Sequence, residues 1–522
     1  MKLHAFAVAA TMAALALSAC GDEPTTGETP TPGEDSGAPR DSGPRRDDAT
    51  PPPPVDSGPT VDASGDGGPA GQGKQLARGE LEIVGALLDG TLVFLRYDAK
   101  ISLEAIAPAG GTPTVILPDL VLEGDDTDDV ISVIGGAVGV WTGVNATTGV
   151  GKLSVWTKAN GLKEAAPSSP VYELDASADG ARVAFVRVMG TSPQLVTAPS
   201  TLAAASVVTV QNTLGDGSAA NPCPAFYTFV GQNLFSSTCS GTAITATARR
   251  TNPAGALLEI DTGLAPSFLS ISASGDKAFS AKRITATGTG GAAAVYSLGA
   301  TTVTELAIET AGVAEGAIAS DGTRVVYRTR QGALKRAATT APVTATELVP
   351  GGGLAGILGI SSDFRTVLSH KLAPGGADGS LHDLQLSATA AAAAPTTLVA
   401  TATALDFGFT RKGQFALWVP NPAAPVLKAR SVAGGAEVDL GALDVLLDTI
   451  EGGDTLVVGH NEREITAGGE KYSVVDYKLI DPAGAPARPL VSAVDIGALV
   501  LPGGKQLAYT EPTKGLFVRD IP

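Results

Sequence analysis

The 522-residue sequence predicts an all-β protein, a single β-propeller preceded by a disordered tether. Three observations point there. From about Gln75 onward, short apolar runs of strand length alternate with clusters of Gly, Asp, Ser and Pro, and no stretch sustains helical spacing. The runs recur at a spacing of roughly 45 residues, room for the four short strands of one propeller blade. Between Gly21 and about Lys74, the chain has almost no large apolar residue with which to offset the entropy of ordering.

The elements follow in chain order. Lys2 supplies a minimal positive start, and Ala5 to Leu17 is an apolar stretch too short to span a bilayer. Together they read as an export signal over residues 1–19. Leu17, Ser18, Ala19 and Cys20 then match the lipobox of bacterial lipoproteins at every position. That resemblance implies cleavage before Cys20, diacylglycerol on its thiol and acylation of the new amino terminus. Two or three acyl chains anchor stably where one does not. Gly21 stands where Asp would favour inner-membrane retention, which favours the outer membrane.

Residues 20–74 form the tether. Asp35-Ser36-Gly37, Asp41-Ser42-Gly43 and Asp56-Ser57-Gly58 recur within it, and Pro51 to Pro54 add a stiff stretch. Such tracts resemble those that follow the lipidated Cys in many lipoproteins of high-GC Gram-negative bacteria. The implied role is a spacer that holds the body away from the bilayer.

The body spans residues 75–522. Its best repeat copies are Asp175 to Phe185, Ile271 to Phe279, Ile318 to Tyr327 and Ile360 to Leu368. In these, Asp179-Gly180, Asp276, Asp321-Gly322 and Asp363 mark a tight hairpin turn, and Asp89-Gly90 marks a weaker copy. Asp hydrogen-bonds nearby backbone there, while Gly takes positive φ. A Lys or Arg follows, then a strand with apolar residues at alternating positions. These units resemble the TolB-like propeller repeat, although most lack its Pro, and only Pro502 resembles it. Counting anchors allows up to ten units, but seven or eight blades are preferred, because most propellers have four to eight. The last unit is short and is expected to close the ring by pairing near Leu81 to Val84. Two stacked sandwiches would not explain the repeat.

Charge and composition narrow the function. The net charge of −17 argues against nucleic acid, whose affinity comes mostly from Lys and Arg. With Cys20 taken by lipid, Cys223 and Cys239 remain, and even parity in an exported chain favours a disulfide between them. Asp125, Asp126, Asp128 and Asp129 form the densest acidic cluster of the body, a weak calcium candidate without EF-hand spacing. His370 and His382 could approach across a hairpin, with Asp378 and Asp383 near, but in no standard metal spacing. The glycine run at Gly288 lacks the Lys-Ser/Thr of a phosphate cradle. Prolyl-oligopeptidase-type peptidases carry similar propellers, yet no Gly-x-Ser-x-Gly elbow occurs here. No catalytic residue and no cofactor is assigned. The expectation is an envelope-anchored binding or scaffold module, with the bilayer and a protein or envelope polymer as partners. The alternative is a propeller-face enzyme of lyase or glycan-hydrolase type.

Overall fold

A computed structural model describes residues 73–122, 127–190, 192–214, 226–240, 245–283, 289–351, 354–372, 382–390, 394–402, 406–420, 426–442, 445–449 and 453–522. Among them are thirty-nine strands and one 3-10 turn, Ala204–Ser206. Every pairing among them is between antiparallel strands, in eight four-stranded sheets and one seven-stranded sheet. Strand-forming runs separated by Gly and Asp turns give this pattern directly.

Ten blades result. Blade one is Leu81–Ala86, Leu92–Tyr97, Ile101–Ile106 and Thr114–Leu120. Blade two is Thr127–Ile134, Ala137–Asn145, Val150–Thr157 and Gly161–Pro170. Blade three is Leu174–Ala176, Arg182–Met189, Ser192–Pro199 and Val208–Gln211. Blades four and five share the 15-residue strand Leu257–Ile271, outermost in one and innermost in the next. Blade four adds Phe226–Val230, Asn233–Thr238 and Ala246–Thr251; blade five adds Lys277–Arg283, Thr289–Leu298 and Val303–Glu309. Blade six is Val313–Ile318, Arg324–Thr329, Leu334–Ala338 and Ala345–Val349. Blade seven is Leu354–Ile360, Thr366–Leu372, His382–Ala388 and Thr396–Ala402. Blade eight is Asp406–Phe409, Phe415–Val419, Val426–Ser431 and Val438–Ala442. Blade nine is Val445–Thr449, Leu456–Ala467, Glu470–Ile480 and Arg488–Asp495. Blade ten is Leu499–Val500, Gln506–Glu511 and Gly515–Asp520, completed by the N-terminal strand Lys74–Ala77.

The apolar side chains pack between blades. Leu87, Val93 and Leu103 of blade one meet Val138, Val140 and Trp156 of blade two. Trp141 and Leu153 of blade two meet Val183 and Phe185 of blade three. The same arrangement continues from blade to blade. The last cluster joins Leu501, Ala508 and Leu516 of blade ten to Leu81, Leu92 and Phe94 of blade one. Clusters bridging every neighbouring pair, the tenth with the first included, make one closed ring. The blade number is therefore ten, the most the repeats allow, rather than the preferred seven or eight. Closure also differs from expectation. Gly515–Asp520 pairs with Lys74–Ala77 and not with Leu81 to Val84, which lies in blade one's innermost strand.

One repeat turn breaks its own rule. Gly180 and Gly322 stand at φ 65° and 68°, and the corresponding residue of blade seven is Phe364, at φ 57°. A bulky residue in this region costs about 1–2 kcal/mol. Phe364 offsets that by burying its ring between blades six and seven, beside Leu334, Leu348 and Val367.

Closure brings acidic groups of blades nine and one together. Asp495 of blade nine accepts a hydrogen bond from Thr510 Oγ1 of blade ten at 2.7 Å. Burial, with Glu82 and Glu80 of blade one nearby, pushes its carboxyl up to about 6. A raised carboxyl means the fold favours the protonated form. Its contribution is complete below the ordinary Asp range, near 3.9, and is lost as pH rises through about 6. Asp495→Asn should therefore raise the melting temperature at pH 8 and leave it nearly unchanged at pH 4. After solvent screening, the gain is on the order of 1–2 kcal/mol. Equal shifts at both pH values would rule out this assignment.

Candidate functional site

The first-to-second-strand turns gather on one end of the ring. In blade three, the Ser177 hydroxyl donates to Asp179 Oδ1 at 2.7 Å, and the Ala181 N–H donates to the same oxygen at 3.0 Å. The Arg182 N–H returns to Ser177 Oγ at 2.9 Å. Blades five and seven repeat this with Ser272–Asp276 at 2.9 Å and Ser361–Asp363 at 2.7 Å. In blade six, the Thr323 N–H donates to Asp321 at 2.9 Å. Hydroxyl donors Ser274 and Ser272 hold the Asp276 carboxyl below its usual range, and Thr323 does the same for Asp321. Asp89 is tied to Thr91 N–H at 2.9 Å.

These turns also stitch several blades to the next, which the sequence did not disclose. Gly136 N–H donates to Ser177 O at 3.2 Å, Leu88 N–H to Gly135 O at 3.1 Å and Ala273 N–H to Ser320 O at 2.9 Å. The basic residue after the turn reaches the same way. Lys277 Nζ donates to Gly322 O at 3.0 Å and Thr339 Oγ1 at 2.9 Å, and Arg324 donates to Asp363 O at 2.7 Å. Arg182 donates to Pro253 O of blade four.

Carboxylates near the channel have a comparable task. An innermost strand has one edge without a strand partner, so its outward N–H groups need acceptors. Asp175 Oδ2 accepts from Phe229 N–H of the next blade at 3.0 Å. Glu315 Oε1 accepts from Ile357 N–H at 2.8 Å, and Ser270 Oγ from Ile318 N–H at 3.1 Å. Burial pushes up the carboxyls of Asp175 and Glu173. Tyr227 donates to Glu173 Oε2 at 2.8 Å. Both acids are engaged in joining blade three to blade four.

The turn end carries a cleft of about 500 Å³ where blades one, two and three meet. Asp89 and Leu87 line it from blade one, Lys158 and Asn160 from blade two, and Asp179 and Ser200 from blade three. Lys158 Nζ lies 3.1 Å from Asp89 Oδ2, and Asn160 Nδ2 donates to Ser200 Oγ at 2.8 Å across the blade boundary. Asp179 Oδ2 accepts from Gln232 Nε2 at 2.5 Å. Although burial opposes it, bonding from Thr91 and Lys158 holds Asp89 below its usual range, and bonding from Ala181, Ser177 and Gln232 holds Asp179 down. Sequence reasoning reached Asp89, Gly90, Asp179 and Gly180 but missed Lys158–Asn160 and Pro199–Thr201. The Asn160-Gly161 and Pro199-Ser200 pairs signal turns. Their convergence on one cleft depends on blade order.

The remaining candidates stand as follows. Leu17, Ser18, Ala19, Cys20, Cys223, Asp125, Asp126 and Asp378 lie outside the described residues, and of Asp128 and His382 only the backbone is described. Asp129 accepts from Val121 and Gly143 N–H groups, each at 3.0 Å, and so fixes the loop around it. Cys239 is 1% exposed in the core between blades four and five, and it is not free. His370 pairs in register with Leu384 and His382 with Leu372. No group of three or more His, Cys, Asp or Glu among the described residues is placed to hold a metal ion. No helix among them is long and apolar enough to cross a membrane.

No family model and no curated protein matches the sequence. Solved structures do. The tricorn protease matches with a TM-score of 0.32 and 10% identity over 84% of this chain. The chain spans about half the length of that protein, 47%. TolB from Acinetobacter baumannii matches at 0.24 and 14% identity, over 52% of this chain and 64% of its own. Prolyl oligopeptidase B from Galerina marginata matches at 0.38 and 10% identity, over 78% and 57%. At these scores, the fold assignment rests on the chain's own sheets.

The stitching has a measurable weight. Lys277→Met removes a charged donor from two acceptors of blade six while keeping the side chain's length. It should cost roughly 1.5 kcal/mol in chemical denaturation, whereas Lys163→Met on an exposed strand position should cost almost nothing. Equal costs would show that the tie contributes nothing.

Proposed function

We propose that this chain is a cell-envelope lipoprotein, anchored through acyl chains on Cys20, whose propeller is a binding and scaffold module for a protein or envelope-polymer partner. The observation that carries the binding half is the cleft at the junction of blades one, two and three. Its walls are hairpin turns already bonded to their neighbours, so a ligand meets a preformed surface and little ordering cost. The other repeat turns give their polar groups to ties between blades, which suits a rigid platform. The location rests on the sequence alone, through the lipobox, the export signal and the acidic tether. Gly21 after Cys20 favours the outer membrane over the inner.

Two measurements test the anchor and the partner. Labelled palmitate should enter the native chain and not Cys20→Ala, which should leave the membrane fraction; unchanged fractionation of the variant would defeat the anchor. A pulldown from detergent-solubilised envelope should recover a partner in stoichiometric amount, and a blank would count against the scaffold.

We also propose a Cys223–Cys239 disulfide. It would close a loop that contains blade four's first hairpin and contribute about 3 kcal/mol by restricting the unfolded chain. Peptide mapping without reductant should find the two cysteines crosslinked. Alkylation of both as free thiols would refute the pairing.

A further inference from the structure

The cleft between blades one, two and three has a floor made of backbone. A Cβ on Gly136 would fall 2.3 Å from Gly180 N, and one on Gly180 would fall 2.3 Å from Gly136 O. The two turns touch main chain to main chain, so any side chain at either position would part them and fill the cleft from below. This is a built hollow, and its floor requires both glycines.

Its chemistry selects a ligand. Asp89 is neutralised by Lys158 at 3.1 Å, and Asp179 is bound by donors from Ser177, Ala181 and Gln232. With Asp89 balanced by Lys158, Asp179 leaves the lining with one net negative charge, which opposes an anion. A cation would find one acid already paired and the other surrounded by donors. Between the charged groups stand the neutral Asn160 amide, bonded to the Ser200 hydroxyl, and hydrocarbon from Pro199 and Ala159. The cavity, about 500 Å³, falls within the size range of small-molecule sites. Hydroxyl, amide and carboxylate acceptors set among small apolar patches complement a ligand that alternates C–H faces with hydroxyls and carries no charge.

We infer that this cleft binds a neutral oligosaccharide segment. The carboxylates of Asp89 and Asp179 retain lone pairs for ligand hydroxyls, the half-buried Asn160, held in place by Ser200, offers its amide, and Pro199 and the exposed Ala159 meet the sugar's C–H face. This rests on the binding-module reading and gives it a ligand class.

The test uses the full mature chain and neutral glucose, mannose and N-acetylglucosamine trisaccharides as probes, read by saturation-transfer NMR and calorimetry. At least one probe should bind. Asn160→Ala should weaken it tenfold or more, and Ala178→Trp, which places a ring in the cleft from an exposed turn position, should abolish it. Melting curves matching the native chain would show that both variants fold; if one does not, the other decides. No binding by any probe, or binding unchanged in the folded variants, overturns the inference. A protein partner recovered equally by the native chain and Ala178→Trp, without sugar binding, would remove the saccharide while keeping the binding module. Loss of both would remove both.

Discussion

Each blade of this ring depends on its neighbours for its core. A four-stranded sheet alone has two faces and nothing to cover either, and here both are covered only by the adjacent blades. Val138 and Val140 face blade one while Trp141 of the same strand faces blade three. That alternation is the period of a strand, and the ring converts it into two interfaces per blade. Ten blades leave no face without a partner.

Apolar burial is not directional, so it does not by itself set how far one blade slides or tilts against the next. The polar ties do. Turn carbonyls accept N–H groups from the adjoining turn, Lys277 and Arg324 reach over the boundary, and Asp175, Ser270 and Glu315 serve the free edges of the next innermost strands. The repeat therefore carries two functions in a few residues: Ser and Asp shape the hairpin, and the following base joins it to the next. The cleft lies where this stitching leaves a gap above two glycines.

Much of the fold was legible in the sequence, because turns and strand alternation are local. Asp179-Gly180 and Asp321-Gly322 announce their hairpins without reference to anything distant. Blade number was harder, because Leu257–Ile271 serves two blades with no turn to mark the boundary. Phe364 stands in a glycine position of one copy, and its reason is a tertiary pocket. The candidate cleft was half visible. Asp89 and Asp179 belong to the repeat, but Asn160 and Ser200 join them only through packing of three blades. The acids at Glu173 and Asp175 carried no signal of their role in joining blades, since the Tyr227 hydroxyl and Phe229 N–H they accept from lie some fifty residues on.

The closing strand has a consequence for the order of events in folding. Lys74–Ala77 is among the first body residues synthesised, and its partner Gly515–Asp520 is among the last. Blades one to nine can form and stack as the chain appears, each from local hairpins. The tenth cannot be completed until Gly515–Asp520 is available. Until then, blade one's inner face and blade ten's incomplete sheet remain open, presenting apolar surface and unpaired strand edge together. Such a topology has its longest loop closure as its final step, and loss of a few C-terminal residues would leave a stack of blades that never becomes a ring.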